Sequence, residues 1–334
     1  MASRTLRCPH TSPLRSPSYI NHPAPTLPPF RSRDAMAQMA ARAAAPHAKI
    51  LEGKVAVVTG ASRGAGRGIA LALGDAGATV YVTGRSVRGG PAVVDAPGTV
   101  DATAEDVERR GGRGVAVRCD HTVASEVEGL FARVEREQGR LDLLVNSVWG
   151  GNEIDFYSGD DGTAPFWRQP PGHWHGMMEA GVHAYLLASV AAAPIMVSAG
   201  RGLIINVTFW DQGKYTGYFY YDLAKAAMCR MAFGMAADLK EHGVSALALS
   251  PGFMKTERVV AAHDAADLAD AETPEYLGRA VAHLAADAGV MAKSGRTLTV
   301  GELAREYGFT DVDGRQPPPF KVPEEFPGRE AGQI

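Results

Sequence analysis

The chain has 334 residues, 46% hydrophobic and 21% charged, enough apolar material for one large α/β domain with appendages. Its formal net charge is -3, with Lys and Arg dispersed and no long basic run, which argues against a nucleic-acid or anionic-membrane partner. Three cysteines, Cys8, Cys119 and Cys229, lack metal-ligand spacing, so no metal is expected and a reducing, cytoplasmic setting fits.

From Met1 to Arg33 there is no acidic residue, while Arg, Ser and Pro are frequent, as in Pro23 to Pro29. A segment of that makeup cannot bury enough surface to order itself, so residues 1–50 read as a disordered tail. Two alternatives stand beside this: organelle import through residues 1–35, or a start at Met36 or Met39, just before Lys49 to Lys54.

The run Val55 to Val58 then feeds a glycine-dense turn, Thr59 to Gly66, that opens an amphipathic segment. Gly60, Gly64 and Gly66 let the backbone turn tightly and approach a pyrophosphate. The following helix start supplies unpaired N–H donors, drawing on Ser62, Arg63 and Ala65. The competing account is an ordinary strand-to-helix loop.

Further apolar runs recur at Thr79–Thr83, Gly114–Arg118, Leu141–Val145, Leu203–Val207, Val244–Leu249 and Arg296–Val300, separated by helical periodicity. Seven strands with helical crossovers imply a parallel sheet. The most apolar stretch, Gly181 to Val197, carries His183, Ser189 and Pro194 and reads as a packing helix rather than a bilayer span. Two long connections interrupt the pattern, Trp149 to Gly172 and Gly252 to Thr273. The aromatics in or near the first, Trp149, Phe156, Tyr157, Phe166, Trp167 and Trp174, either wall a pocket for a bulky apolar substrate or pin the loop to the core.

Inside the helical run Tyr220 to Leu239, Tyr221 and Lys225 stand four residues apart and share one face. A phenol, with a reference pKa near 10, becomes a useful base at neutral pH only beside a cation that stabilises the phenolate, and Lys225 supplies one. A packed tyrosine beside a solvated lysine is the bland alternative.

Together, Thr59 to Gly66 and the Tyr221/Lys225 pair resemble the short-chain dehydrogenase/reductase family over about Leu51 to Gly301. Cys119-Asp120, Leu144-Val145-Asn146, Asn206-Val207-Thr208 and Ser250-Pro251-Gly252 extend the match, and Leu303 to Arg315 is similar to the segment that follows the last strand in one subgroup. The resemblance implies a doubly wound Rossmann fold with a seven-stranded parallel sheet in the order 3-2-1-4-5-6-7, helices on both faces and ligands at the carboxyl ends of the strands. On this reading residues 51–301 form the Rossmann domain and 302–334 a C-terminal extension that folds over the pocket or a neighbouring subunit.

By the same resemblance the activity is NADPH-dependent reduction of a ketone or aldehyde, or the reverse, with Tyr221 as general acid/base and Lys225 also hydrogen-bonding the nicotinamide ribose. Where members that prefer NAD carry an acidic residue after strand two, this chain has Thr83-Gly84-Arg85; Arg85 together with Arg63 suits the 2′-phosphate of NADP(H). Asp120 and His121 are expected at the adenine, Asn146 at the strand-four end of the cofactor, and Pro251, Gly252 and Thr256 at the nicotinamide, with an N-cap role as the alternative for Thr256. The family's usual carbonyl-polarising serine is replaced by Phe209, leaving Thr208 to supply the hydroxyl or else to point into the core. Gly181 stands where many members carry a helical Asn that organises a relay water. A non-catalytic NADP(H)-binding sensor or scaffold is the second hypothesis, and a homo-oligomer built on the apolar faces of Gly181–Val197 and Met228–Met235 is compatible with either.

Overall fold

The computed structural model describes residues 49–90, 96–152, 164–322, 325–326 and 329–330. The chain divides into two units, Met1–Pro46 and His47–Ile334, and every described residue lies in the second. The tail read over residues 1–50, apart from its last two residues, and Phe156 and Tyr157 lie outside the described residues.

Seven strands, β1 (Val55–Val58), β2 (Thr79–Gly84), β3 (Arg113–Arg118), β4 (Leu143–Asn146), β5 (Gly202–Val207), β6 (Val244–Ser250) and β7 (Thr297–Thr299), form one parallel sheet in the order β3-β2-β1-β4-β5-β6-β7. The order and direction match the expectation; the ends of β2 to β7 differ from it by one or two residues, and two of these differences have clear local reasons. β4 starts at Leu143 because Asp142 turns its carboxylate onto the N–H of Val55 and pairs with Lys54 and Arg140. β7 stops at Thr299 because that residue caps the next helix, exchanging hydrogen bonds with Glu302 in a capping box.

Period-two alternation decides which side chain enters which layer. Val55 and Val57 of β1 join a cluster with Phe131, Val134, Ala188 and Met196, whereas Ala56 and Val58 join one with Ile69, Leu73, Leu277 and Val281. The first layer is supplied by α3 (Ala124–Gln138), α4 (Ala184–Ala199) and α5 (Phe219–Leu239), the second by α1 (Gly64–Asp75), α2 (Val100–Arg109), α7 (Pro274–Ala286) and α8 (Val300–Tyr307). The short α6 (Glu257–Ala262) lies in the long connection after β6.

A π-helical turn, His175–His183, leads into α4. Together these form a stretch from His175 to Ala199 long and apolar enough to cross a membrane, the one such stretch among the described residues. Ala188, Ala192, Ile195 and Met196 on it are buried against the sheet layer, which fits a core helix. Its outer face leaves Leu186 and Val190 exposed. Beyond α8 the chain returns across the domain and ends in a small antiparallel pair, β8 (Glu325–Phe326) with β9 (Arg329–Glu330).

Candidate active site

All the strand ends that carry the sequence motifs open on one cavity of about 1320 Å³. Parallel strands put their carboxyl ends on one edge, and the order reverses between β1 and β4, so a crevice forms there. Of the residues picked out from sequence, Gly60, Ser62, Arg63, Gly64, Ala65, Gly66, Arg85, Asp120, His121, Thr208, Tyr221, Lys225, Pro251, Gly252 and Thr256 line it. Asn146 does not. It is fully buried behind the wall, where its amide donates to Asn206 and Ser189 at 3.0 Å and ties β4 to β5 and α4. That places it in the framework rather than against a ligand.

The glycine turn is shaped by close approach. At Gly60, φ is +65° and a Cβ would lie 2.9 Å from the carbonyl of Ser147, and one at Gly66 would lie 2.4 Å from the carbonyl of Gly60. Only glycine fits this cradle, whose walls then leave the N–H groups at the start of α1 facing the cavity, an arrangement suited to a dinucleotide pyrophosphate. The cavity, lined by Asp120 and His121 as well as by Phe253 and Phe320, has volume enough at about 1320 Å³ for both a dinucleotide and a substrate.

At the β2 end, Arg63 donates to the carbonyls of Pro97 and Gly98 and to Ser86 Oγ, at 3.0, 2.8 and 3.0 Å. Arg85 lies 3.9 Å from the carboxylate of Asp120. Burial lowers the Arg63 pKa; Glu257 opposes the shift and the like charge of Arg85 adds to it. Both arginines therefore look onto one lobe of the cavity. Burial alone would raise Asp120, but donation from the Thr122 hydroxyl and N–H, with the charge of Arg85, holds its carboxyl below the ordinary range. His121 is buried and kept neutral, its pKa driven down to about 4 by desolvation. The single hydroxyl hydrogen of Thr83 goes to the carbonyl of Val58, so the 2.8 Å contact with His121 assigns the ring proton to Nε2.

Tyr221 and Lys225 do share a face of α5, with Lys225 Nζ 5.4 Å from the Tyr221 ring centroid, and both line the cavity. Burial brings the Lys225 pKa down to about 7, with Cys229 opposing. Tyr221 sits between two aromatic rings, Trp149 at 5.6 Å and Phe209 at 5.8 Å. Thr208 reaches the cavity wall, but its hydroxyl donates to the backbone carbonyl of Lys225 at 3.0 Å. Of the two placements expected for Thr208, the residue is on the cavity wall, but its donor is engaged by the helix that carries Tyr221. Thr256 caps α6, accepting from Val259 N–H, while also lining the cavity.

Several residues on or directly behind the cavity wall were not picked out from sequence. Glu257 hydrogen-bonds the first N–H of α1. Glu272 is buried and accepts from the N–H of Gly252, and burial pushes its carboxyl up to about 8, the bond from Gly252 opposing and Asp311 adding. Phe320, from the C-terminal extension, enters the substrate lobe against Phe209 at 5.8 Å, fastened by Gln212 and Lys214 to the carbonyls of Phe320 and Val322. An acidic residue directly after Thr256 was the available signal for Glu257; the tail takes one of the two placements expected for residues 302–334, over the pocket, but Phe320 itself carried no signal. Of the loop aromatics, Trp149 lines the cavity, whereas Phe166, Trp167 and Trp174 are exposed at the surface and stand outside it.

Residues 54–267 match the family described as short chain dehydrogenase. Dehydrogenase/reductase SDR family member 1 of Mus musculus is 40% identical over 279 residues, covering 79% of this chain and 85% of that protein. Among solved structures, 7α-hydroxysteroid dehydrogenase complexed with NADH and 7-oxo glycochenodeoxycholic acid is similar with a TM-score of 0.62 at 25% identity, over 80% of this chain and 96% of that one. A metagenomic short-chain oxidoreductase in complex with NADP is similar with a TM-score of 0.56 at 28% identity, over 72% and 93%.

Proposed function

The chain belongs to the short-chain dehydrogenase family, and from that premise we propose that it interconverts a carbonyl compound and its alcohol with NADP(H), Tyr221 acting as general acid in reduction and general base in oxidation. The observation that carries this is the placement of Tyr221 and Lys225 on one face of α5, lining the same cavity as the glycine turn. When bound, the nicotinamide supplies or accepts the hydride.

The residues of the chain do the rest. Gly60, Ser62, Gly64, Ala65 and Gly66 form the pyrophosphate cradle, Asp120 and His121 flank the adenine, and Pro251, Gly252 and Thr256 hold the nicotinamide end. Arg63 and Arg85 give the 2′-phosphate two guanidinium partners, which favours NADP(H) over NAD(H). Lys225 as ammonium stabilises the phenolate of Tyr221 and so lowers the cost of moving its proton. Thr208 polarises the carbonyl oxygen only if its hydrogen swings from the Lys225 carbonyl to the substrate.

The substrate lobe, walled by Phe209, Phe253, Met254 and Phe320, suits a bulky apolar ketone or aldehyde. The likeness to a hydroxysteroid dehydrogenase makes fused-ring ketones the first compounds to try. A second copy of the chain would pack against the exposed Leu186 and Val190 of α4 and Phe233 of α5.

The test is NADPH and NADH consumption across a panel of aromatic, aliphatic and fused-ring carbonyl compounds, repeated with Tyr221→Phe. Turnover with NADPH that falls by about 10²- to 10⁴-fold in the variant supports the reading. Cofactor binding with no turnover on any compound supports instead a non-catalytic sensor or scaffold, the reading that the engaged Thr208 hydroxyl favours.

A further inference from the structure

We propose that Trp149 is a positioning residue for the proton-transfer pair: its indole face holds the Lys225 ammonium beside Tyr221 where no carboxylate does, and Gly181 is the backbone position that makes room for that ring. Lys225 Nζ lies 3.8 Å from the Trp149 ring centroid, well inside cation–π range. The same indole meets the Tyr221 ring edge-on, at 5.6 Å and 86°. One side chain therefore touches both members of the pair and fixes their separation.

Lys225 has no ion pair among the described residues. The titratable groups facing it are Tyr221 and Cys229 on its own helix, and Cys229 is the one whose charge opposes the effect of burial. From the neighbouring loop comes the indole; the uncharged Thr208, just after β5, meets the backbone carbonyl of Lys225, and Glu179 of the π-helical turn is held at the surface by His175. Desolvation disfavours the ammonium; Cys229 opposes this only as a thiolate, a form that burial disfavours, and the negative face of the indole 3.8 Å away offsets it as well.

Gly181 completes the arrangement. A Cβ there would lie 3.3 Å from Cε3 and Cζ3 of Trp149 and 3.3 Å from Cε of Met228, tighter than an ordinary contact on two sides. Any larger side chain at 181 would push the ring off Lys225 or be displaced itself. The absence of a side chain at 181 and the presence of a large aromatic at 149 are thus one structural choice. The proposal takes its purpose from the reductase reading, since a held ammonium matters only if Tyr221 exchanges a proton.

The test does not depend on turnover. Protein carrying ¹³Cε-lysine is titrated by NMR, with the Lys225 signal assigned by its loss in Lys225→Met. Trp149 is replaced by tryptophans bearing one, two and four ring fluorines, which keep the shape and progressively weaken the π face. The Lys225 pKa is expected to fall stepwise, by about one unit at four fluorines. A pKa that does not move along the series overturns the proposal, and it does so whether or not the protein reduces carbonyls. If turnover is found, the pH profile of kcat should move in the same order as the Lys225 pKa, with KM little changed; a profile fixed across the series also overturns it. For Gly181, the Tm loss from Gly181→Ala should shrink when combined with Trp149→Leu, and strictly additive losses would remove that half of the proposal.

Discussion

The side-chain carboxylate of Glu257 accepts a hydrogen bond from the backbone N–H of Gly64 at 2.9 Å, so an anion belonging to the chain itself sits on the first donor of the phosphate cradle. The segment that follows β6 and the turn that follows β1 are thereby latched, and Glu257 also sets its charge near Arg63. A cofactor pyrophosphate needs the same N–H and must displace the carboxylate. Glu257→Gln keeps a neutral acceptor and removes the competing charge, so NADPH affinity measured by calorimetry at low salt should rise about 3- to 10-fold, the worth of one charge-assisted bond. Unchanged or weaker binding would show that Glu257 does not compete.

Arg63 and Arg85 should separate by what they do beyond phosphate. Arg85→Ala also removes the charge facing Asp120, and should weaken NADPH binding by roughly 10- to 100-fold while weakening NADH binding far less. Arg63→Ala also removes three hydrogen bonds to Ser86, Pro97 and Gly98, so it should weaken both cofactors and lower Tm as well. Equal losses for NADPH and NADH with Arg85→Ala would point away from 2′-phosphate recognition.

The parallel sheet was legible in the sequence because apolar runs alternate with helical periodicity, and the glycine turn and the Tyr221/Lys225 pair because they rest on backbone proximity and a helical spacing of four; the strand order and the remaining expected cavity residues came with the family resemblance. What was not legible depends on side-chain direction or on distant chain returns. Nothing in the triplet Asn206-Val207-Thr208 tells whether a hydroxyl donates to a substrate or to a helix carbonyl seventeen residues on. Likewise Phe320 reaches the site through a return fixed by Gln212, Lys214 and the close passage of Pro319 over Gly301, contacts that no periodicity encodes. Composition left the aromatics at 166, 167 and 174 open as a pocket wall or as pins for the loop, and the structure places them exposed at the surface, outside the cavity.

Thr208→Val tests the hydroxyl without changing its shape. If the group only anchors α5 through the Lys225 carbonyl, stability should fall by about 1 kcal/mol and kcat by less than threefold. If its hydrogen swings to the substrate, kcat should fall by about 10²-fold with Thr208→Ser retaining most of it. Urea denaturation alongside turnover separates the two, and a large kcat loss with unchanged stability would mean that the helix bond is incidental.

Glu272 makes stability depend on pH in a direction that can be worked out. Its carboxyl is raised from 4.5 to about 8 in the folded protein, chiefly by burial, with the Gly252 N–H opposing and Asp311 adding. Below pH 4.5 the group is protonated in both states and its contribution is fully present. Between 4.5 and about 8 the unfolded chain has released the proton and the folded one has not, so stability declines as pH rises, by up to about 1.4 kcal/mol per unit, and levels off above 8. Glu272→Gln keeps an acceptor for Gly252 and cannot ionise. Its stability should therefore match the parent near pH 5 and exceed it near pH 9 by an amount on the order of a few kcal/mol, measured by urea denaturation at both. Titrating groups other than Asp311 and Tyr276, which feel the Glu272 charge, are common to the two proteins and cancel in the difference. A difference that does not change with pH would mean that Glu272 is ionised in the folded state at neutral pH, and that the Gly252 turn is held by a charged acceptor.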